Sequence, residues 1–289
     1  MISSNKSQPL GTIGVFDSGV GGLTILQHLI QVLPGYDFDY FGDTARAPYG
    51  TRSPEVITQF TEQAVEFLFS QGAVMIILAC NTSSAIALRA LQEKYLRQRG
   101  IVDQKILGVI APAVEHAVRT TRNRRIGVLG TSATIASKAY DHEITKRNPH
   151  CSVRGVACPL LVPLIEEGQQ HTEAAKLICE QYMKELHDFD CDTVLLACTH
   201  YPFMLKTIQA LLPTVTVLEQ GPIVAESTVA YLHRHPEIDT QLSHQSRVRF
   251  FVSDDAARFR EAGKRYFHGS MENVVRVNID SHPFRQTLV

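Results

Sequence analysis

The runs Val74-Met75-Ile76-Ile77-Leu78-Ala79-Cys80 and Thr193-Val194-Leu195-Leu196-Ala197-Cys198 decide the fold class of this chain. Each is an uncharged or nearly uncharged stretch of strand length that ends in a cysteine. Small polar groups follow, Asn81-Thr82 in one case and Thr199-His200 in the other. The shared Leu-Ala-Cys recurs at an offset of 118 residues, and Ile13-Gly14-Val15 recurs as Ile126-Gly127-Val128 at an offset of 113. Two matches in the same order at nearly one offset point to a duplicated unit.

Outward from these runs, short apolar β-branched stretches alternate with longer segments of helical period, the pattern of parallel strands joined by crossover helices. The sequence predicts strands at residues 12–16, 37–41, 74–79, 106–109, 125–129, 153–157, 193–197, 214–218, 248–252 and 273–277. Helices are predicted over 23–33, 54–70, 83–97, 111–120, 174–186 and 203–212, with Ser53 as N-cap before Pro54. The expected architecture is α/β: two similar open, mainly parallel sheets flanked by helices and related by a pseudo-dyad. The first unit takes residues 1–105 plus 220–289, because the tail returns to it, and the second takes 106–219.

At 289 residues the chain is long enough for about two compact units. With 44% hydrophobic residues, 20% charged residues and a net charge of -1, it is neither a disordered chain nor a broadly basic nucleic-acid binder. Its uncharged stretches fall well short of the ~18 residues of a membrane span. The N-terminal MISSNKSQPLGTIGVF does not read as a secretory signal. A cytoplasmic protein is expected, and its six cysteines are expected as thiols rather than disulfides. Their spacing contains no C-x-x-C pair, so no metal site is expected.

In open parallel sheets ligands bind beyond the carboxyl ends of the strands, which is where Asp17-Ser18, Asn81-Thr82, Gly130-Thr131 and Thr199-His200 fall. A lone strand-end cysteine is most often a small buried hydrophobe. Two equivalent ones, each followed by hydroxyl, amide or imidazole groups, favour functional thiols at Cys80 and Cys198, whereas Cys151, Cys158, Cys179 and Cys191 have no such neighbours. The polar run after Cys80 leads into a helix whose N-terminus would favour the thiolate. His200 and Glu166 are candidates to exchange protons with Cys198. Gly19-Val20-Gly21-Gly22 lacks a Walker lysine and has Thr24 where G-x-G-x-x-G needs glycine, so it reads as a tight turn whose backbone N–H groups could hold a carboxylate. Ala47-Pro48-Tyr49-Gly50 reads as a turn.

The stretches GVFDSGVGGLT (14–24), FGDTARAPYG (41–50), ACNTSS (79–84), PLLVPLIEEG (159–168) and ACTHYP (197–202) together resemble the glutamate racemase family of the aspartate/glutamate racemase superfamily. The resemblance runs to about residue 230. It implies two flavodoxin-like domains facing across a cleft, no cofactor, and glutamate racemised by two opposed acid/base thiols to supply D-glutamate for peptidoglycan. Carried onto this chain, those thiols are Cys80 and Cys198. It further implies that Asp17, Ser18, Tyr49, Gly50, Asn81, Thr82, Thr199 and His200 bind substrate or support the thiols, with Pro48, Thr131 and Glu166 as additional supports. Two positions depart from the family pattern: Ala197 stands where glycine is usual, and Glu219-Gln220-Gly221 replaces an Asp-Ser-Gly-like turn.

A small-molecule substrate is thus the expected partner, with no nucleic acid and no membrane, and a homodimer is left open. Three alternatives also remain open: a racemase or isomerase for another acid such as aspartate, a thiol-nucleophile hydrolase using Cys198 and His200, and a non-catalytic amino-acid binding protein.

Overall fold

The computed structural model describes residues 11–98, 100 and 103–279, so the outermost residues of the expected first unit lie outside it. The strands are β1 (Thr12–Asp17), β2 (Phe38–Gly42), β3 (Ala73–Leu78), β4 (Lys105–Gly108), β5 (Arg125–Gly130), β6 (Ser152–Ala157), β7 (Thr193–Ala197), β8 (Thr216–Leu218), β9 (Val248–Val252) and β10 (Val274–Arg276). They form one sheet in the order β10-β9-β2-β1-β3-β4 and another in the order β6-β5-β7-β8. Every pairing within them is parallel.

Within the two sheets β5 to β8 repeat the arrangement of β1 to β4: second, first, third, fourth. The duplicated tripeptides sit on equivalent strands, Ile-Gly-Val in β1 and β5, and Leu-Ala-Cys at the ends of β3 and β7. In each sheet the chain order reverses between those two strands, which is where a parallel α/β sheet opens a crevice for a ligand.

One strand lies elsewhere than expected. β4 pairs with β3, from Met75 with Lys105 to Leu78 with Gly108, so it closes an edge of the first sheet instead of opening the second unit. Its apolar pattern marks it as a strand without specifying a neighbour.

The tail returns to the first sheet through β9, which pairs with β2, and two buried carboxylates hold it there. Asp37 accepts from the backbone N–H groups of Gln245 and Arg247 at 3.0 and 2.9 Å and from the Arg247 guanidinium at 2.8 and 3.0 Å. Burial alone would raise its pKa, but these donors outweigh it and hold the carboxyl below its usual range. Asp39 takes Arg249 in a two-pronged contact at 2.6 Å and the Thr12 hydroxyl at 2.6 Å.

The expected helix over 83–97 begins earlier, at Asn81, and is broken into Asn81–Ile86, Leu88–Gln92 and a π-helical turn at Glu93–Gln98. Helices absent from the sequence reading are Ser132–Ala136, Ala139–Arg147, Leu161–Glu166, Gln220–Arg234, Pro236–Asp239 and Ala256–Gly263. Most are short, and Leu161–Glu166 and Gln220–Arg234 carry a proline that reads as a breaker. In Gln220–Arg234 that residue is Pro222, within the first turn, where a missing N–H costs nothing. The helix packs on Leu23–Val32 so closely that a Cβ at Gly221 would strike the His28 ring. Among the described residues no helix is long and apolar enough to cross a membrane.

Candidate active site

Cys80 follows β3 as the N-cap of Asn81–Ile86 and is 5% exposed. Its sulfur lies 3.5 Å from the Ser18 hydroxyl, and Asp17, at the end of β1, is close enough for its charge to act on the thiol. Burial and that carboxylate raise the Cys80 pKa, outweighing donors from Ser18 and Ser83. The helix N-terminus therefore does not set the net direction, contrary to the sequence expectation. Asp17 is itself buried and pushed up, opposed by the positive field of His200 and the Gly19 and Gly22 backbone. One of its oxygens accepts from Gly19 N–H at 2.9 Å. The other, Oδ1, has no hydrogen-bond partner among the described residues. The glycine turn thus spends a backbone N–H on Asp17.

Cys198 follows β7 and is 7% exposed. Its sulfur is 3.9 Å from Nδ1 of His200, whose Nε2 lies 3.0 Å from Glu166. Burial would push His200 down. Its contacts with Cys198 and Glu166 prevail and push its pKa up to about 10, so the ring is an imidazolium at neutral pH. The same contact holds the Glu166 carboxyl below its usual range against burial, helped by the charges of Arg265 and Arg258. Each thiol therefore has its own ionisable partner, a carboxylate for Cys80 and a carboxylate-backed imidazolium for Cys198.

The segment after β1 joins the two halves. Ser18 reaches Cys80, while a Cβ at Gly21 would collide with Thr199 and His200, so that backbone approach requires glycine. Thr24 donates to the Thr199 carbonyl at 3.3 Å. On the other side Thr82, from the helix after Cys80, meets Thr131 at 2.9 Å and Thr134 at 3.2 Å. Thr131 caps the helix Ser132–Ala136 at the end of β5. Gly50 packs on that trio, where a Cβ would fall 2.7 Å from Thr131 Cβ. A 370 Å³ cavity opens against Cys198 and Thr199, and a 760 Å³ depression is lined by Gly19, Val20, Ala47, Pro48 and Glu166. A separate 520 Å³ cavity lined by Arg89, Lys146 and Arg234 reaches neither thiol.

The Asp/Glu/Hydantoin racemase family model matches residues 13–228. The chain belongs to this racemase family. It is 40% identical over 273 residues to the glutamate racemase of Geobacter metallireducens, covering 94% of this chain and 98% of that protein. The Neisseria gonorrhoeae glutamate racemase is 38% identical over 267 residues, with 92% and 96% covered. Among solved structures, glutamate racemase from Francisella tularensis in complex with D-glutamate superposes with a TM-score of 0.85 at 36% identity, covering 94% of this chain and 99% of that one.

In this member of the family, several of the groups that hold the site escaped the sequence reading. Asp43, fully buried after β2, accepts from Arg46 and Ser253, each at 2.7 Å, and from the Tyr49 hydroxyl. The Tyr49 side chain is thus committed to Asp43, with its ring against Phe16 and Phe60. Asn81 is likewise engaged, with Tyr140 and Gln220. Gln220 belongs to the Glu219-Gln220-Gly221 departure, so that departure meets the candidate site residue Asn81 directly. Only spatial proximity reveals these groups, since Tyr140 and Gln220 stand 59 and 139 positions from Asn81. Cys151, Cys158, Cys179 and Cys191 are buried free thiols, and burial pushes Cys179 and Cys191 up to about 11.

Proposed function

We propose that this racemase interconverts L- and D-glutamate without a cofactor, with Cys80 and Cys198 as the opposed proton acceptor and donor. The observation that carries the reading is the pair of thiols at equivalent ends of β3 and β7 in duplicated sheets, each with a separate ionisable partner. Inverting a stereocentre by deprotonation needs a base on one face of the α-carbon and an acid on the other, and a duplicated fold supplies one thiol for each. Glutamate as substrate is supported by the Geobacter and Neisseria relatives and by the ligand of the Francisella structure.

The environments divide the roles. Burial and Asp17 keep Cys80 as a thiol, ready to donate, while the His200 imidazolium faces the Cys198 sulfur and balances negative charge there. Proton removal by Cys198 with delivery by Cys80 converts one enantiomer, and the reverse sequence converts the other. When Cys80 must serve as base, its proton leaves toward Ser18, whose hydroxyl lies 3.5 Å from the sulfur, with the Asp17 carboxylate as the neighbouring charge. Because the α-hydrogen is weakly acidic, donors to the substrate carboxylate must strengthen as charge spreads into it. Ser18, Thr82, Thr199 and the first-turn backbone at Asn81 and Thr82 are assigned that work, with the Pro48–Gly50 turn and Thr131 packed beside Thr82.

On this reading the first unit comprises residues 11–108 with 220–279 and the second 109–219. The enzyme works in the cytoplasm, and its D-glutamate supplies cell-wall synthesis. Purified, reduced protein incubated with L-glutamate in heavy water should give D-glutamate carrying solvent deuterium at the α-carbon. Cys80→Ser and Cys198→Ser should each abolish racemisation while retaining α-hydrogen exchange or elimination from opposite enantiomers. The same enantiomer preference in both variants overturns the two-thiol assignment, and equal turnover of aspartate overturns the substrate assignment.

A further inference from the structure

Asn81, the residue bonded to Cys80, sits in a closed ring of three buried side chains. The Tyr140 hydroxyl donates to Asn81 Oδ1 at 2.6 Å, Asn81 Nδ2 donates to Gln220 Oε1 at 2.7 Å, and Gln220 Nε2 donates back to the Tyr140 oxygen. All three residues are no more than 3% exposed. Reversing both amides and the hydroxyl reverses every donor and closes the same ring, so the arrangement does not depend on one proton placement.

The three members come from separate parts of the fold. Asn81 opens the helix after β3, Tyr140 lies in Ala139–Arg147 between β5 and β6, and Gln220 opens the helix that carries the chain from the second sheet back to the first. The ring also reaches both thiols. Asn81 is covalently joined to Cys80, while Gln220 and Cys198 line the same cavity and the charge of Cys198 acts on Tyr140. A buried polar ring with every member satisfied fixes its parts in one geometry, and loss of one partner leaves the other two with unpaired groups.

We infer that Tyr140 and Gln220 are positioning residues that act through Asn81 to hold the Cys80 turn in register with Cys198 across the substrate. The inference rests on the two-thiol reading above. Proton transfer depends steeply on donor–acceptor placement, and displacement by about 1 Å can cost on the order of a hundredfold. The Asn81 turn carries Cys80, so loosening the ring slows the Cys80 transfer more than the Cys198 transfer.

Gln220→Met and Tyr140→Phe keep volume and remove ring hydrogen bonds. Each should lower kcat about ten- to a hundredfold in both directions, since the equilibrium constant links them, with KM changed by less than about threefold. The discriminating readout is the α-deuterium isotope effect with each enantiomer. It should rise for the enantiomer whose α-hydrogen Cys80 removes, identified by which one the Cys198→Ser variant still exchanges. For the other enantiomer it should fall, and the solvent isotope effect should grow instead, because redelivery from Cys80 now limits the rate. A loss of folded protein or of general packing scales both rates and leaves the isotope effects symmetric. Isotope effects unchanged from the parent in both variants overturn the inference, whatever the rates do. If the serine variants of the two cysteines themselves retain racemisation, the two-thiol reading fails first, and the two failures are thereby distinguished.

Discussion

Replacing Glu166 by glutamine tests how the Cys198 half of the site is powered. The carboxylate lies 3.0 Å from His200 Nε2, and unit charges at that distance in an effective dielectric of ~20 attract by about 5 kcal/mol. The Glu166 side chain is 45% exposed, so solvent screens much of this, and a charge-assisted hydrogen bond of about 1.5–3 kcal/mol is the realistic loss. At 1.36 kcal/mol per pH unit, His200 should titrate about one to two units below its parent value of about 10. Two measurements read this: the imidazole carbon-proton signals of His200 followed by NMR across pH, and the alkaline limb of kcat/KM, which should move down with them. Stability carries the same sign. Folded His200 keeps its proton up to about pH 10, whereas the unfolded ring releases it near 6.5. In that window the folded state binds more protons, so stability falls as pH rises, and Glu166→Gln closes the window from its upper end. A parent His200 titrating near 6.5, or a value unmoved by the substitution, refutes the reasoning.

Other outcomes follow from the same geometry. Gly50→Ala puts a methyl group 2.7 Å from Thr131 Cβ, and should lower Tm by about 2–6 °C in a thermal melt and reduce racemisation as the threonine trio shifts. Asp37→Asn leaves an amide oxygen for the two backbone N–H groups but puts an NH2 where the carboxylate oxygen accepts from the Arg247 guanidinium; with Arg247 64% exposed, it should cost about 1–2 kcal/mol in urea unfolding. Because the folded Asp37 pKa is depressed, the parent's advantage over this variant should persist above about pH 4 and shrink as pH falls through the folded value. Alkylation should abolish activity, with glutamate protecting Cys80 and Cys198 in peptide mass maps; protection confined to the other four cysteines contradicts the site assignment.

The α/β class, the strands of the described residues and the equivalent places of Cys80 and Cys198 after β3 and β7 were legible in the sequence, because apolar runs of strand length are local signals and the Leu-Ala-Cys repeat marks equivalent places in two copies. His200 and Glu166 were also legible as candidates, one beside its cysteine in sequence and the other at the end of an apolar run, and the fold sets His200 between Cys198 and Glu166. What the tertiary structure alone decided concerns neighbours. Periodicity tells which side chains are buried but not what they face, so β4 was placed with the wrong sheet and Pro222 concealed the helix that crosses between them. For the same reason Tyr140 and Gln220, and the hold of Ser253 on Asp43, came to light only when segments far apart in the chain were brought to hydrogen-bonding distance. The direction of the Cys80 shift belongs here too: a helix N-terminus can be read from a polar run, but burial beside the Asp17 carboxylate exists only after folding, and it is the stronger influence.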